Sequence, residues 1–426
     1  MMNLRKALLL AGILLFLWSG SQVAAQGILL RGMGAVNESM GGAAVAAPLD
    51  ATGAIYWNPA SISFLKKNEI SFGLGLVIPK SSVSSQIHVT GTGQQVQSGY
   101  SDSDAGQVPV PTMSFVWRKA PDSRVTLAIG LAGIGGAASL YEANPENPIL
   151  EGHSKSASVQ VMQVTPTFSY QWTDRLSIGF APIVGLATLS LNPMNLGRPT
   201  NSPLYNYGTR YAWGAGFQAG LFYDFQNHFK AGVTYKSKIW TEDLEFSGTT
   251  TSSGITAPAT ASFAMDLPMT VSLGTSYDGI EKTILALDLR YMDYHNTEGF
   301  KETFVVENGV PVIRGLGWDN VWVLAFGIQR EMGEHLKLRG GYTYNTSPIP
   351  AEHQMYAVAA PLVMQHSMTL GATYTLPGDI DLSCAWARAF EGSETGYFPT
   401  GNAALTGAVT NAASAHSVVM GIAKRF

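Results

Sequence analysis

The chain has a single cysteine, Cys384, among its 426 residues, so no internal disulfide framework braces it. Charge is scarce too: Asp, Glu, Lys and Arg make up 13% of the residues, about half the share usual in a soluble domain. A soluble protein of this size would be poorly solvated with so little charge, whereas one whose outside faces lipid needs no more. There is no basic surplus, since 26 Lys and Arg stand against 30 Asp and Glu. A nucleic-acid partner needs a basic footprint and is therefore excluded. Beyond residue 26 no apolar run approaches transmembrane-helix length. Also missing are a G-x-G-x-x-G turn before a helix, a phosphate-binding P-loop, an H-E-x-x-H and any paired-cysteine motif. The eight histidines are scattered, without the spacing of a structural metal site. No catalytic residue, metal or cofactor is expected, and the chain reads as a non-enzyme.

What is present begins with an address. Arg5 and Lys6 precede an apolar core over residues 7–18, and Val23 and Ala25 place small side chains before Gln26. Residues 1–25 are expected to form a secretory signal cleaved after Ala25. Its removal takes two bases and no acid, moving the net charge from −4 to −6.

From residue 68 onward the dominant pattern is alternation with a period of two, the signature of strands with one apolar face. Trp322, Leu324, Phe326 and Ile328 oppose Val323, Ala325, Gly327 and Gln329; Leu285, Leu287, Leu289 and Tyr291 oppose Asp288 and Arg290. The pattern predicts fourteen strands, at 68–88, 108–119, 123–137, 155–171, 174–190, 208–225, 229–248, 260–277, 281–295, 318–331, 335–345, 365–376, 380–391 and 412–426. Connections after the even-numbered strands are tight and those after the odd-numbered ones long. Short turns at one end, long loops at the other and an even strand count predict an all-β fold: a 14-stranded antiparallel transmembrane β-barrel over residues 68–426, closed because an open edge in lipid would leave backbone groups unpaired. The N-terminus and short turns would face the periplasm of a Gram-negative outer membrane. Tyr170, Trp172, Tyr223, Phe225, Tyr235, Trp240, Tyr291, Tyr294, Tyr342 and Tyr344 fall near strand ends, where amphipathic rings favour the interface. The chain ends on Phe426 with Val418, Met420 and Ile422 on its face, interrupted by Lys424, the kind of terminal strand that barrel assembly machinery recognises.

Residues 26–67 differ from this pattern. Glycines at 27, 32, 34, 41, 42 and 53 and an alanine-rich run over 43–47 leave too little bulk for a separate core, yet the stretch is too apolar for a linker. Such a segment suits close packing inside something else. Asn58-Pro59-Ala60 closes it with a turn signal. The small-residue run, Asp50 before its turn and Asn58-Pro59-Ala60 resemble the N-terminal plug, or hatch, of the long-chain fatty-acid and toluene outer-membrane transporter family, the FadL/TodX type.

That resemblance implies passive transport of a hydrophobic small molecule, captured by outer loops and released sideways through an inward kink of the third strand. Partners would be outer-membrane lipid and lipopolysaccharide, and the barrel would be a monomer. Gly133, Gly135 and Gly136 are the expected kink, although glycines there could equally serve close strand packing. Leu191, Met194, Leu196 and Leu204 in one long loop, and Met355, Tyr356, Val358 and Leu362 in another, would form a capture groove or else pack together as a lid. Asp288, Arg290, Lys337 and Arg339 face the lumen and would tie wall to plug, unless one of the bases meets a ligand carboxylate. A general diffusion porin would share the barrel but call for opposed charges around an open eyelet. A surface-binding or structural barrel would have apolar loops above a sealed wall.

Overall fold

The computed structural model describes residues 26–426 except 197, 199–202, 207, 253–254, 303 and 308–309. The expected signal lies outside the described residues. Fourteen strands close into an antiparallel barrel: β1 (Glu69–Val89), β2 (Val108–Trp117), β3 (Val125–Tyr141), β4 (Lys155–Gln171), β5 (Leu176–Asn192), β6 (Arg210–Asp224), β7 (Phe229–Lys236), β8 (Met269–Ile280), β9 (Thr283–Asp293), β10 (Val321–Met332), β11 (Leu336–Asn345), β12 (His366–Leu376), β13 (Ile380–Phe398) and β14 (Leu405–Arg425). Each pairs with its neighbour, and β14 closes on β1 in register from Glu69↔Arg425 to Val89↔Leu405. Closure leaves no free edge strand, so backbone groups are paired around the wall except along part of the β2–β3 junction.

The side-chain period of two explains the two faces. Along β10 Trp322, Leu324, Phe326 and Ile328 are exposed while Val321, Val323, Ala325 and Gln329 are buried. On β9 Asp288 and Arg290 point inward at 0% exposure, with Leu287 and Leu289 outside. The short-turn end relies on left-handed turn residues such as Gly333 (φ 79) and Gly378 (φ 82).

Three departures from the sequence expectation have simple physical causes. The seventh strand ends at Lys236 rather than 248, and the eighth starts at Met269 rather than 260. Between them Leu244–Ser252 pairs with Ile255–Phe263 outside the barrel sheet, and its alternating pattern imitates a continued wall strand. The last two strands run further toward the long loops, to Phe398 and from Leu405. Tyr294, expected at the lipid interface, turns inward: it is fully buried, packs on Phe300 and Trp318, and donates to the Gln26 carbonyl at 2.8 Å.

Residues 26–65 sit within the barrel, as two short helices, α1 (Gly34–Ser39) and α2 (Ala51–Trp57), and a single 3₁₀ turn, Ser61–Phe64. Helices this short do not stand alone in water. Asn37 joins them, its side-chain oxygen accepting from the Met33 amide at 2.9 Å and the Trp57 indole at 2.8 Å. Asp50 caps α2 by accepting from the Gly53 amide at 3.3 Å. The wall is thinned to receive the plug: a Cβ at Gly341 would overlap the Met40–Gly41 backbone, and one at Gly220 the Asn58 side chain.

Candidate functional site

The wall is interrupted between β2 and β3. Their ladder runs from Trp117↔Leu127 to Thr112↔Ala132 and then stops, although β2 continues to Val108 against β1 and β3 continues to Tyr141 against β4. Backbone contact across this side resumes higher, where the Asp104 amide donates to the Leu140 carbonyl at 2.9 Å. The cause lies in β3, where Gly133 faces Met162 and Gly135 faces Val161, so that Ile134 is an extra residue. Such a bulge bends its strand, and Ile134 is buried in the interior cluster.

The edge thus freed is met from inside by the start of the plug. The Leu30 amide donates to the Ile134 carbonyl at 2.9 Å, and the Gly136 amide to the Ile28 carbonyl at 2.8 Å. A side chain at Gly135 would overlap the Ile28 carbonyl, and one at Gly133 would reach Val110 across the gap at 3.2 Å.

A cavity of about 160 Å³ lies against this junction, bordered by Ile28, Leu29, Met33, Val110, Ala137 and Leu362 among others. Two charged side chains point into it, and they neutralise each other. Arg31 pairs with Glu38 at 2.7 Å and donates to the Ser367 hydroxyl at 2.9 Å, while Ser417 donates to Glu38 at 3.0 Å. Lys80 and His416 also border the cavity, but belong to the outward-facing sets of their strands.

The other expected residues fall in three places. Asn58, Pro59 and Ala60 latch the plug to β4, β5 and β6, away from the cavity. The Asn58 amide group donates to the Val45 carbonyl at 2.9 Å and the Leu221 carbonyl at 3.0 Å, and the Ala60 carbonyl accepts from Ser169 at 3.1 Å and Ser177 at 2.7 Å. Asp288 accepts from the Ala44 and Val45 amides at 2.8 and 3.1 Å and pairs with Arg290 at 3.1 Å. Arg290 also donates to the Gly42 carbonyl and lies 3.5 Å above the Trp57 ring. Arg339 donates to Gln329 and Thr373, both at 2.7 Å, and Lys337 stands in register with Glu331. None of these three bases borders the large cavity.

The long-loop residues are mostly interior. Met194 and Leu204 are fully buried and exchange backbone hydrogen bonds at 2.7 and 2.8 Å; Leu196 is buried beside them, and Leu191 packs on the same cluster. Val358 is buried against Val83, Tyr141 and Leu150, with Met355 packed on that group, while Tyr356 and Leu362 rest on the main interior cluster. Leu362 alone of the eight borders the cavity. Sequence reasoning missed Arg31 and Glu38, and the receiving glycines of the wall. Glycine at an inward strand position was the available signal for the latter.

A closed barrel of fourteen strands with an apolar belt, an inserted N-terminal plug and an internal cavity defines a plugged outer-membrane channel. Residues 17–426 match the outer membrane protein transport protein family (OMPP1/FadL/TodX), and the chain belongs to that family, whose members are transport channels and not enzymes. Outer membrane protein P1 of Haemophilus influenzae is 26% identical over 183 residues, 42% of this chain and 38% of that protein. A putative outer membrane protein of Neisseria meningitidis is 24% identical over 159 residues, 32% of this chain and 34% of that protein. The chain thus spans less than two fifths of the length of these relatives. In fold it is similar to a Pseudomonas aeruginosa FadL homologue (TM-score 0.75, 14% identity, 94% of this chain and 100% of that one). It is also similar to the Pseudomonas putida toluene transporter TodX (TM-score 0.68, 19% identity, 93% and 99%).

Proposed function

We propose that the protein is a passive transporter of hydrophobic small molecules across the outer membrane, with release through the side of the barrel between β2 and β3. The observation that carries this reading is an apolar cavity set directly against an unpaired stretch of wall. An apolar molecule leaving there enters hydrocarbon rather than water, so no energy source is needed. The long loops face outward and the N-terminus the periplasm, and the loop residues Leu191, Met194, Leu196 and Leu204, with Met355, Tyr356, Val358 and Leu362, part to admit cargo. The cavity favours uncharged cargo, a hydrocarbon over a carboxylate, because its one inward-pointing base, Arg31, is already matched by Glu38.

The test is uptake by liposomes carrying the purified barrel, comparing toluene, a long-chain fatty acid and a small sugar. Selective apolar uptake is expected, with toluene ahead of the fatty acid. Gly133→Leu, which fills the gap toward Val110, should lower that uptake several-fold while leaving the folded barrel intact on a heat-modifiability gel. Sugar passage without apolar preference would overturn the reading.

A further inference from the structure

The outer surface of the barrel is apolar up to one level and then, in one sector, abruptly basic. On β1 the outward side chains run Phe72, Leu74, Leu76, Ile78 and then Lys80; on β14 they run Ile422, Met420, Val418 and then His416; on β13, Leu382, Cys384, Trp386 and then Arg388, with the exposed Phe390 beyond it. The three strands are neighbours, and Ile78, His416 and Arg388 share one rung, with Lys80 one outward position beyond. Strands lie about 4.8 Å apart, so the three bases cover roughly 10 Å of surface.

Arg388 and His416 touch through a hydrogen bond, and the Trp386 ring lies 6.0 Å from the imidazole. Among the described residues no carboxylate forms an ion pair with Lys80 or Arg388. The acids around these bases are Asp104, which the Ser82↔Asp102 register sets across from Lys80 without an ion pair, Asp102, bonded to the Tyr100 hydroxyl at 2.5 Å, and Glu391 in the bulge just past Arg388. Further round, the same end of the wall carries His366, bonded to the Tyr342 hydroxyl, and exposed Trp213, Trp240 and Trp322.

Ten residues of a strand tilted by about 45° climb roughly 25 Å, the height of the apolar band. Lys80 therefore stands at the headgroup plane of the leaflet on the long-loop side, which is the outer one in barrels of this kind. Lys80 and Arg388 are cations without an ion pair, and His416, whose Nε2 accepts from Arg388, keeps its Nδ1–H free to donate. Such a cluster at that plane calls for an anion that accepts several hydrogen bonds at once, and phosphate is such an acceptor. We propose that Lys80, Arg388 and His416 form a binding site for a phosphate of the lipid A moiety of lipopolysaccharide. The site rests on the orientation of the barrel and is independent of what the channel carries.

The experiment is native mass spectrometry of the full-length barrel in detergent, titrated with lipid A, with dephosphorylated lipid A and with phosphatidylglycerol. The wild type should bind lipid A in preference to the other two. Binding by the Lys80→Gln/Arg388→Gln double variant should be weaker by roughly tenfold or more, whereas Lys424→Gln, at the opposite rim, should leave it unchanged. Equal binding by wild type and double variant would overturn the proposal, as would equal binding of dephosphorylated lipid A. Phosphatidylglycerol bound as tightly as lipid A would show a general anionic-lipid surface and overturn the assignment to lipopolysaccharide. The two lipid controls use wild-type protein, so the test stands even if the double variant folds poorly.

Discussion

Arg290 has no contact with water, and its charge is answered by Asp288, the Gly42 and Arg31 carbonyls and the face of Trp57. Replacing it with methionine would leave Asp288 buried with only its two amide donors. The folded barrel should lose about 3 kcal/mol, read as a lower melting temperature in detergent. Asp288→Asn together with Arg290→Met should cost less than the single change, because the isolated charge is gone. Asp50 makes a second prediction. Burial, and after it the neighbouring Glu69, push its carboxyl up to about 7 from 3.8. The folded state therefore holds a proton that the unfolded state releases, so its contribution is full below pH 4 and is lost as pH rises through 7. Plug stability, followed by Trp57 fluorescence, should be higher at pH 5 than at pH 8, and Asp50→Asn, which keeps the cap, should flatten that difference. Alternation placed Asp288 and Arg290 on the lumen side from sequence alone. Their partners were not legible, since those are backbone groups of a segment some 250 positions earlier, and nothing in local pattern reports them.

The strands were the most legible elements, because a wall between lipid and a packed interior imposes its period on every residue. Legibility failed where that imposition ends. The outer pair Leu244–Ser252 and Ile255–Phe263 has the same period as a wall strand, so pattern alone ran the seventh and eighth strands on through it. The long-loop leucines and methionines were visible as an apolar cluster, but whether they face water depends on how two distant loops fold over the barrel. The plug was recognisable by its small residues, whereas its seat left only the weaker sign of glycines at inward strand positions. Gly341→Val tests that seat: its side chain would overlap the Met40–Gly41 backbone. The plug should then sit loosely, seen as faster proteolysis within residues 26–65 while the barrel keeps its heat-resistant mobility.

For the molecule as a whole, the plug fills the lumen, and in the proposed transport it separates a selective channel from an open pore. Deleting residues 27–65 removes the partners of Asp288, Arg290, Thr369 and Ser417 together with the bulk that occupies the lumen. The deleted protein should raise the ionic conductance of a planar bilayer well above that of the full chain, and should pass small sugars.

The position of the plug also orders the protein's assembly in time. Ser39 accepts from Thr369 on β12 at 3.1 Å and Glu38 from Ser417 on β14 at 3.0 Å, and the β1–β14 seam then shuts around them. Partners this distant in sequence come together slowly. The plug must therefore wait for strands made long after it, and once the seam has formed it is a passenger locked inside a vessel that closed behind it.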